Sequence, residues 1–353
     1  VSDRCSKDVT PFLPKEEKRL RWGILGGARI ARICVIPALN RSRNGEIRGL
    51  GCRSEERGQT IARQHGIPLA CCRYEEILED PEIDAVYIPL PNHLHKEWTL
   101  RALQAGKHVL CEKPMAVNGE DAHCMARAAR ERGMVLMEAL MYRFHPRSRR
   151  IKELVDQGAI GEPRLVRAAF CFHHPDPADA RFRPEMGGGA LLDVGTYGVS
   201  LARWILSAEP ESVQACAVYG PTGVDVTFIG LLRFPGGCLA TVEASFMTAL
   251  QQTFSIIGSR GAIDLPHDAF IPWEKEAIFH LRGTEEEEGK LEIIPGADQY
   301  RLMVEHFSDC VLKEKAPDFP AEESVANMRV LDALARAARE RRAVDLKPII
   351  GIE

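Results

Sequence analysis

From residue 21 onward, short runs of apolar and β-branched residues alternate with stretches whose apolar positions recur at the helical period. That is the pattern of βαβ units feeding a parallel sheet. Strands are predicted over 21–25, 47–52, 69–72, 85–89, 108–111 and 135–138, with helices over 55–65, 96–105 and 119–132. Right-handed crossovers turn such a series into a doubly wound sheet. Past about residue 141 the pattern changes. Helices over 146–157 and 189–206 accompany a succession of strands over 162–172, 211–219, 224–234, 237–246, 253–258 and 261–265, and Pro235-Gly236-Gly237 reads as a hairpin turn. Strands joined by short turns imply a large, mostly antiparallel open sheet with one face under the two helices. Its other face is expected to meet a second copy of the chain, as a homodimer or a dimer of dimers. The acidic run Glu285 to Glu288 reads as a solvated loop, and two closing helices are expected over 299–313 and 321–341.

Composition narrows the function classes. A chain of 353 residues is long for one core, so two domains are expected. A net charge of -4 leaves no electrostatic footprint for nucleic acid, and no apolar run approaches the roughly 20 residues that span a bilayer. Residues 1–19 are polar and charged, read as a loose tail rather than a secretory signal. The 11 cysteines are odd in number and never spaced C-x-x-C, which suits reduced thiols in a cytoplasmic protein better than disulfides. The adjacent His173 and His174 lack a third ligand at suitable spacing, so no metal is expected.

The first strand gives way to the first helix through Gly26-Gly27-Ala28-Arg29-Ile30, a glycine-rich turn in the context where a dinucleotide pyrophosphate meets helix amides. The loop reads G-x-A-x-x-A, with Ala28 where a second glycine is usual. At the end of the second strand, Cys52-Arg53-Ser54 puts a cation and a hydroxyl where an NAD-binding carboxylate would stand, and Arg57 follows one helical turn later. A guanidinium matches a phosphate, so NADP is expected in preference to NAD. The chain is therefore read as α/β: a 1–19 tail, a Rossmann dinucleotide-binding domain over 20–143, and an α+β substrate-binding and oligomerisation domain over 144–353, whose last helices are free to pack back on the first domain.

Four motifs then carry a family resemblance. C-E-K-P at 111–114 and G-G-G-A-L-L-D-V-G-T-Y at 187–197 look like the two signatures of the Gfo/Idh/MocA oxidoreductases, with P-L-P-N-H-L-H at 89–95 and E-A-L-M-Y-R-F-H-P at 138–146 in support. Tyr197, where inositol dehydrogenase-like members have histidine, makes the chain similar to the branch holding glucose-fructose oxidoreductase, dimeric dihydrodiol dehydrogenase and NADP-dependent xylose dehydrogenases. The resemblance implies that Lys113 lies beside the nicotinamide and that Tyr197 exchanges a proton with a substrate hydroxyl. It also puts Pro89, Leu90 and Glu112 at the cofactor.

Elementary chemistry supports those roles. Hydride removal from an alcohol needs a base for the hydroxyl proton, and carbonyl reduction needs an acid. A phenol serves both, and a nearby ammonium from Lys113 would favour its ionised form. Asp193 stands four residues before Tyr197 and could orient Lys113 or bind a substrate hydroxyl. Asn92, His93 and His95 follow the fourth strand and could line the nicotinamide ribose, while Arg143 and His145 at the domain junction could hold substrate hydroxyls. The expected substrate is a small polyhydroxylated molecule: a sugar, a cyclic polyol or an aromatic dihydrodiol. The competing reading is a non-catalytic NADP-binding regulator of the same fold, which loss of Lys113 or Tyr197 would have favoured.

Overall fold

The computed structural model describes residues 18–273, 275–285 and 289–347, so nearly all of the expected tail and Glu286 to Glu288 of the acidic run lie outside the described residues. The first half builds six parallel strands: β1 (Leu20–Leu25), β2 (Gly45–Gly51), β3 (Leu69–Cys71), β4 (Ala85–Ile88), β5 (His108–Cys111) and β6 (Leu136–Glu138). Their order is β3-β2-β1-β4-β5-β6. This doubly wound order reverses direction between β1 and β4, and the crevice beyond the strand ends at that reversal is where ligands of such sheets bind. Trp22, Ile24, Val86 and Tyr87 have no exposed surface, as expected of central strands covered on both faces.

The covering helices are α1 (Ile36–Arg41), α2 (Glu55–His65), α3 (Tyr74–Glu79), α4 (His95–Gln104) and α5 (Gly119–Glu131). Local chemistry sets their limits. Ser54 caps α2 by accepting from the Arg57 amide, and Gly66 ends it at φ 69°. Asn118 caps α5 in the same way through Asp121.

The second half holds α6 (Pro146–Asp156), β7 (Pro163–His173), a wide π-helical turn over Leu191–Gly195 running into α7 (Thr196–Leu206), and strands β8 (Ser212–Tyr219), β9 (Asp225–Arg233), β10 (Leu239–Ser245), β11 (Met247–Gly258) and β12 (Gly261–Leu265). Three strands were not anticipated: β13 (Ala277–Gly283), β14 (Lys290–Ile294) and β15 (Val344–Asp345). The nine-stranded sheet runs β14-β13-β12-β11-β7-β10-β9-β8-β15 and is antiparallel except where β7 and β10 pair in parallel. β7 and β10 pack under α7, but β8 is covered from the carboxyl end of the chain, by α9 (Ala321–Glu340).

The closing helices also reach the first sheet. α8 (Gln299–Leu312) lays Phe307 against Trp22 of β1 at 4.9 Å between ring centroids, and Ser308 Oγ accepts from the Trp22 indole at 3.3 Å. Asp332 of α9 accepts the Gly119 amide at 2.7 Å at the start of α5. No helix among the described residues is long and apolar enough to cross a membrane.

Candidate active site

At the carboxyl end of β1 the chain turns through Gly26, whose φ of 117° suits glycine, and the ideal Cβ of Gly27 would stand 2.5 Å from Ile61 of α2. Helical backbone begins at Arg29 and continues through Ile30, with Ala28 just before it. Arg57 donates to the Gly27 carbonyl at 2.8 Å, tying α2 to this turn. Arg53 and Ser54 are exposed beside it and Cys52 is buried beneath. A bare backbone turn flanked by two guanidinium groups and a hydroxyl fits a dinucleotide phosphate.

The next strand ends supply the reacting face. Pro89 and Leu90 are buried at the end of β4, and the Asn92 amide donates to the Gly187 carbonyl at 2.8 Å, bridging the halves of the molecule. His93 is exposed. His95 was expected beside the nicotinamide ribose. Instead it is fully enclosed, with Nδ1 at 2.8 Å from the Pro114 carbonyl and Nε2 at 2.8 Å from the Leu90 carbonyl, so it braces two strand ends against each other. Glu112 at the end of β5 is buried too. Its carboxylate accepts from the Tyr87 hydroxyl at 2.5 Å and the Lys113 amide at 3.2 Å, and burial pushes the acid up despite those donors.

Lys113 reaches across to the second half. Its Nζ donates to the Asp193 backbone carbonyl and to Asp193 Oδ1, each at 2.7 Å, and lies 5.3 Å from the Tyr197 ring centroid. The π-helical turn holding Asp193 and the first turn of α7 holding Tyr197 thus converge on one ammonium. Arg181, which the sequence did not single out, donates from Nε to the other oxygen, Asp193 Oδ2, at 2.7 Å. Burial alone would raise the Asp193 acid, but Lys113 and Arg181 outweigh it and hold it well below the usual carboxylate range.

Tyr197 differs from expectation in its electrostatics. Its hydroxyl points to Met141 Sδ at 3.7 Å, and burial, then the carboxyls of Glu112, Asp193 and Glu138, push the phenol well above its ordinary value. The Lys113 ammonium, 5.3 Å from the ring centroid, does not offset that upward push.

Arg143 and His145, expected at substrate, are instead interior. Arg143 bonds Ser200 through Nε at 3.1 Å and Glu323 at 3.3 Å, and stacks 4.6 Å from the Phe319 ring centroid. His145 caps α6 by accepting the Arg147 amide at 3.1 Å, and burial pushes its ring down to about 4. Arg143 thus ties its turn to α7 and α9, while His145 serves the start of α6, and both are buried.

The three successive glycines now have separate reasons. A Cβ on Gly187 would meet Asn92 at 2.9 Å, one on Gly188 the Arg181 carbonyl at 2.5 Å, and one on Gly189 the Asp225 carboxylate at 2.3 Å. Asp225, also missed in the sequence, accepts the Leu191 amide at 2.7 Å and so seats the turn that carries Asp193. Neither arginine nor aspartate carries a local sequence signal; each meets the Asp193 turn only through a partner brought near by folding. Among the described residues no group of three or more His, Cys, Asp or Glu could hold a metal ion.

Comparison with known proteins agrees with this geometry. Residues 20–140 match the oxidoreductase family with an NAD-binding Rossmann fold, and residues 148–264 match the GFO/IDH/MocA C-terminal domain. A D-xylose 1-dehydrogenase (NADP(+)) from Haloferax volcanii is 37% identical over 93% of this chain and 100% of its own. A trans-1,2-dihydrobenzene-1,2-diol dehydrogenase from Xenopus laevis is 33% identical over 83% of this chain and 89% of its own. Among solved structures, a 3-ketoreductase from Actinomadura kijaniata in complex with NADP and TDP-benzene superposes with a TM-score of 0.85 at 31% identity, covering 91% of this chain and 98% of that one. That reductase has also been solved with one tyrosine replaced by phenylalanine and with one lysine replaced by alanine. With both halves matched and relatives aligned over nearly their full length, the chain belongs to the Gfo/Idh/MocA family of oxidoreductases, an enzyme with an NAD(P)-binding Rossmann fold.

Proposed function

We propose that the protein is an NADP-preferring oxidoreductase that moves a hydride between the nicotinamide and a carbinol or carbonyl carbon of a sugar, cyclic polyol or dihydrodiol. The observation that carries this reading is the convergence of Lys113, Asp193 and Tyr197 at the carboxyl end of β5, beside the reversal point of the first sheet. When bound there, the cofactor supplies or accepts hydride at nicotinamide C4. In the reducing direction the Tyr197 phenol donates its proton to the carbonyl oxygen as negative charge develops, and the Lys113 ammonium stabilises the phenolate left behind. In the oxidising direction the same groups take up the hydroxyl proton. Asp193 orients Lys113 through two hydrogen bonds.

Support for the substrate class comes from relatives that act on D-xylose and on a dihydrodiol. The lysine and tyrosine altered in the Actinomadura reductase are separated along that chain by the same number of residues as Lys113 and Tyr197. NADP is preferred because Arg53, Ser54 and Arg57 gather at the end of β2 and can meet a 2'-phosphate. We place a homodimer interface on the open face of the nine-stranded sheet, where Val218, Ile229 and Leu250 are exposed.

The test is the change in NADPH absorbance with purified protein in both directions, over a panel of aldoses, cyclic polyols, ketosugars and dihydrodiols, with NAD(H) in parallel. Turnover that prefers NADP and is lost in Tyr197→Phe and Lys113→Met supports the reading. Cofactor binding without turnover in either direction would transfer the weight to a regulatory protein of the same fold.

A further inference from the structure

The geometry points to Arg181 as a positioning residue for the reaction: it holds the far oxygen of Asp193 so that Lys113 keeps an ammonium whose charge and third N–H are available to the reacting groups. This rests on the roles of Lys113 and Tyr197 given above.

Arg181 lies in the connection between β7 and the π-helical turn, in a short 3-10 turn over Ala180–Phe182. Asp179 builds this turn and aims the arginine at once, since its Oδ1 accepts the Arg181 amide at 2.9 Å and Arg181 Nη1 at 3.1 Å. The Arg181 carbonyl accepts the Gly189 amide at 2.9 Å, and Gly188 permits that approach because any Cβ there would collide with the same carbonyl. The arginine is thus set against the glycine-rich turn by backbone contacts as well as by its ion pair.

The consequence is a divided carboxylate. With Arg181 absent, Asp193 would direct its whole charge to Lys113 and form a closed pair. A closed pair offers little field to a developing phenolate, and Tyr197 already faces the buried acids Glu112 and Glu138. Arg181 shares Asp193 from the side opposite Lys113, with Nε on Oδ2 while Lys113 holds Oδ1. Asp179 in turn balances Arg181, so the row Lys113, Asp193, Arg181, Asp179 alternates in sign.

The first readout needs neither cofactor nor substrate. Lys113 acylation by acetic anhydride at fixed pH is followed by mass spectrometry of its peptide in wild type, Arg181→Met and Arg181→Lys. The amine in Arg181→Met is expected to react about threefold more slowly, the size of a partly exposed ion-pair effect, with Arg181→Lys restoring most of the rate. A structural role alone predicts the opposite sign, because a loosened loop exposes Lys113 and speeds labelling. An unchanged or faster rate in Arg181→Met overturns the proposal. With a substrate from the panel, the Tyr197 limb of the pH-rate profile is expected to move to higher pH in Arg181→Met and to stay in Arg181→Lys; an unmoved limb with a raised KM would make Arg181 a substrate contact instead. If the wild type turns over nothing in the panel, it is the proposed function that fails, and the acylation rates still decide the role of Arg181.

Discussion

Burial and three neighbouring carboxyls keep the Tyr197 proton in place, so in the proposed reaction the phenol gives it up only to a developing alkoxide, with Lys113 stabilising the phenolate. Removing only its hydroxyl leaves the aromatic packing against Phe170 and Phe270 intact. Tyr197→Phe is expected to lower kcat by roughly 10²–10⁴-fold with the fold unchanged, the span of general acid catalysis. Steady-state kinetics and a thermal melt on the same preparation check both halves of that statement. Lys113 and Tyr197, which the fold brings together, could be singled out in the sequence because each sits inside a short motif whose context, a strand end or a helix start, could also be read. His95, Arg143 and His145 were misplaced for the converse reason: a polar residue near a site looks the same in sequence whether it faces the cleft or braces its wall, and only burial separates the two.

The turn and helix that carry Asp193 and Tyr197 are held from below by Asp225 on β9. Burial raises this carboxyl to about 6, with the Leu191 amide opposing the rise. A folded-state value above the unfolded one means that ionised Asp225 weakens folding above about pH 6. As pH falls from 6 toward 4 the folded chain binds a proton that the unfolded chain does not, and that penalty is released. Relative to Asp225→Asn, wild-type stability is expected to rise by about 2–3 kcal/mol between pH 7 and pH 4. Paired thermal melts across that range measure it, and a constant difference would contradict it. At α2, Arg57→Ala is expected to reduce the preference for NADP over NAD by about tenfold through loss of one charge-assisted contact, with the ratio of kcat/KM values as the readout.

Elements were legible where their pattern is local: α2 lies where its cap, period and glycine stop put it. β13 and β14 were not, because they form the outer edge of the sheet and flank the acidic run: the alternation in β13 is confined to four residues, and β14 leaves its apolar Leu291 and Ile293 exposed. β11 was read six residues short because the register shift between Met247 and Gln251 breaks its alternation.

For the whole molecule, the proposed dimer interface rests on the open face of the second sheet. Cys216, Ile229, Glu243, Ala169 and Thr253 follow one another across five strands, and Ile229, second in this row, is 52% exposed. A hollow of about 440 Å³ beside it is lined by Thr227, Ile229, Glu243 and Leu250. Sedimentation is expected to show a dimer for wild type and a monomer for Ile229→Glu, since a charge buried at such a face would be unpaired. A monomeric wild type would remove the interface from consideration.

The contact of Trp22 with Phe307 and Ser308 has a temporal meaning as well. A ribosome finishes every strand of the first sheet long before it supplies α8, so during synthesis the nucleotide-binding half waits with its first strand uncovered. The two halves are expected to complete folding together once the carboxyl-terminal helices emerge, and a chain cut before α8 should bind cofactor poorly although the whole first sheet is present.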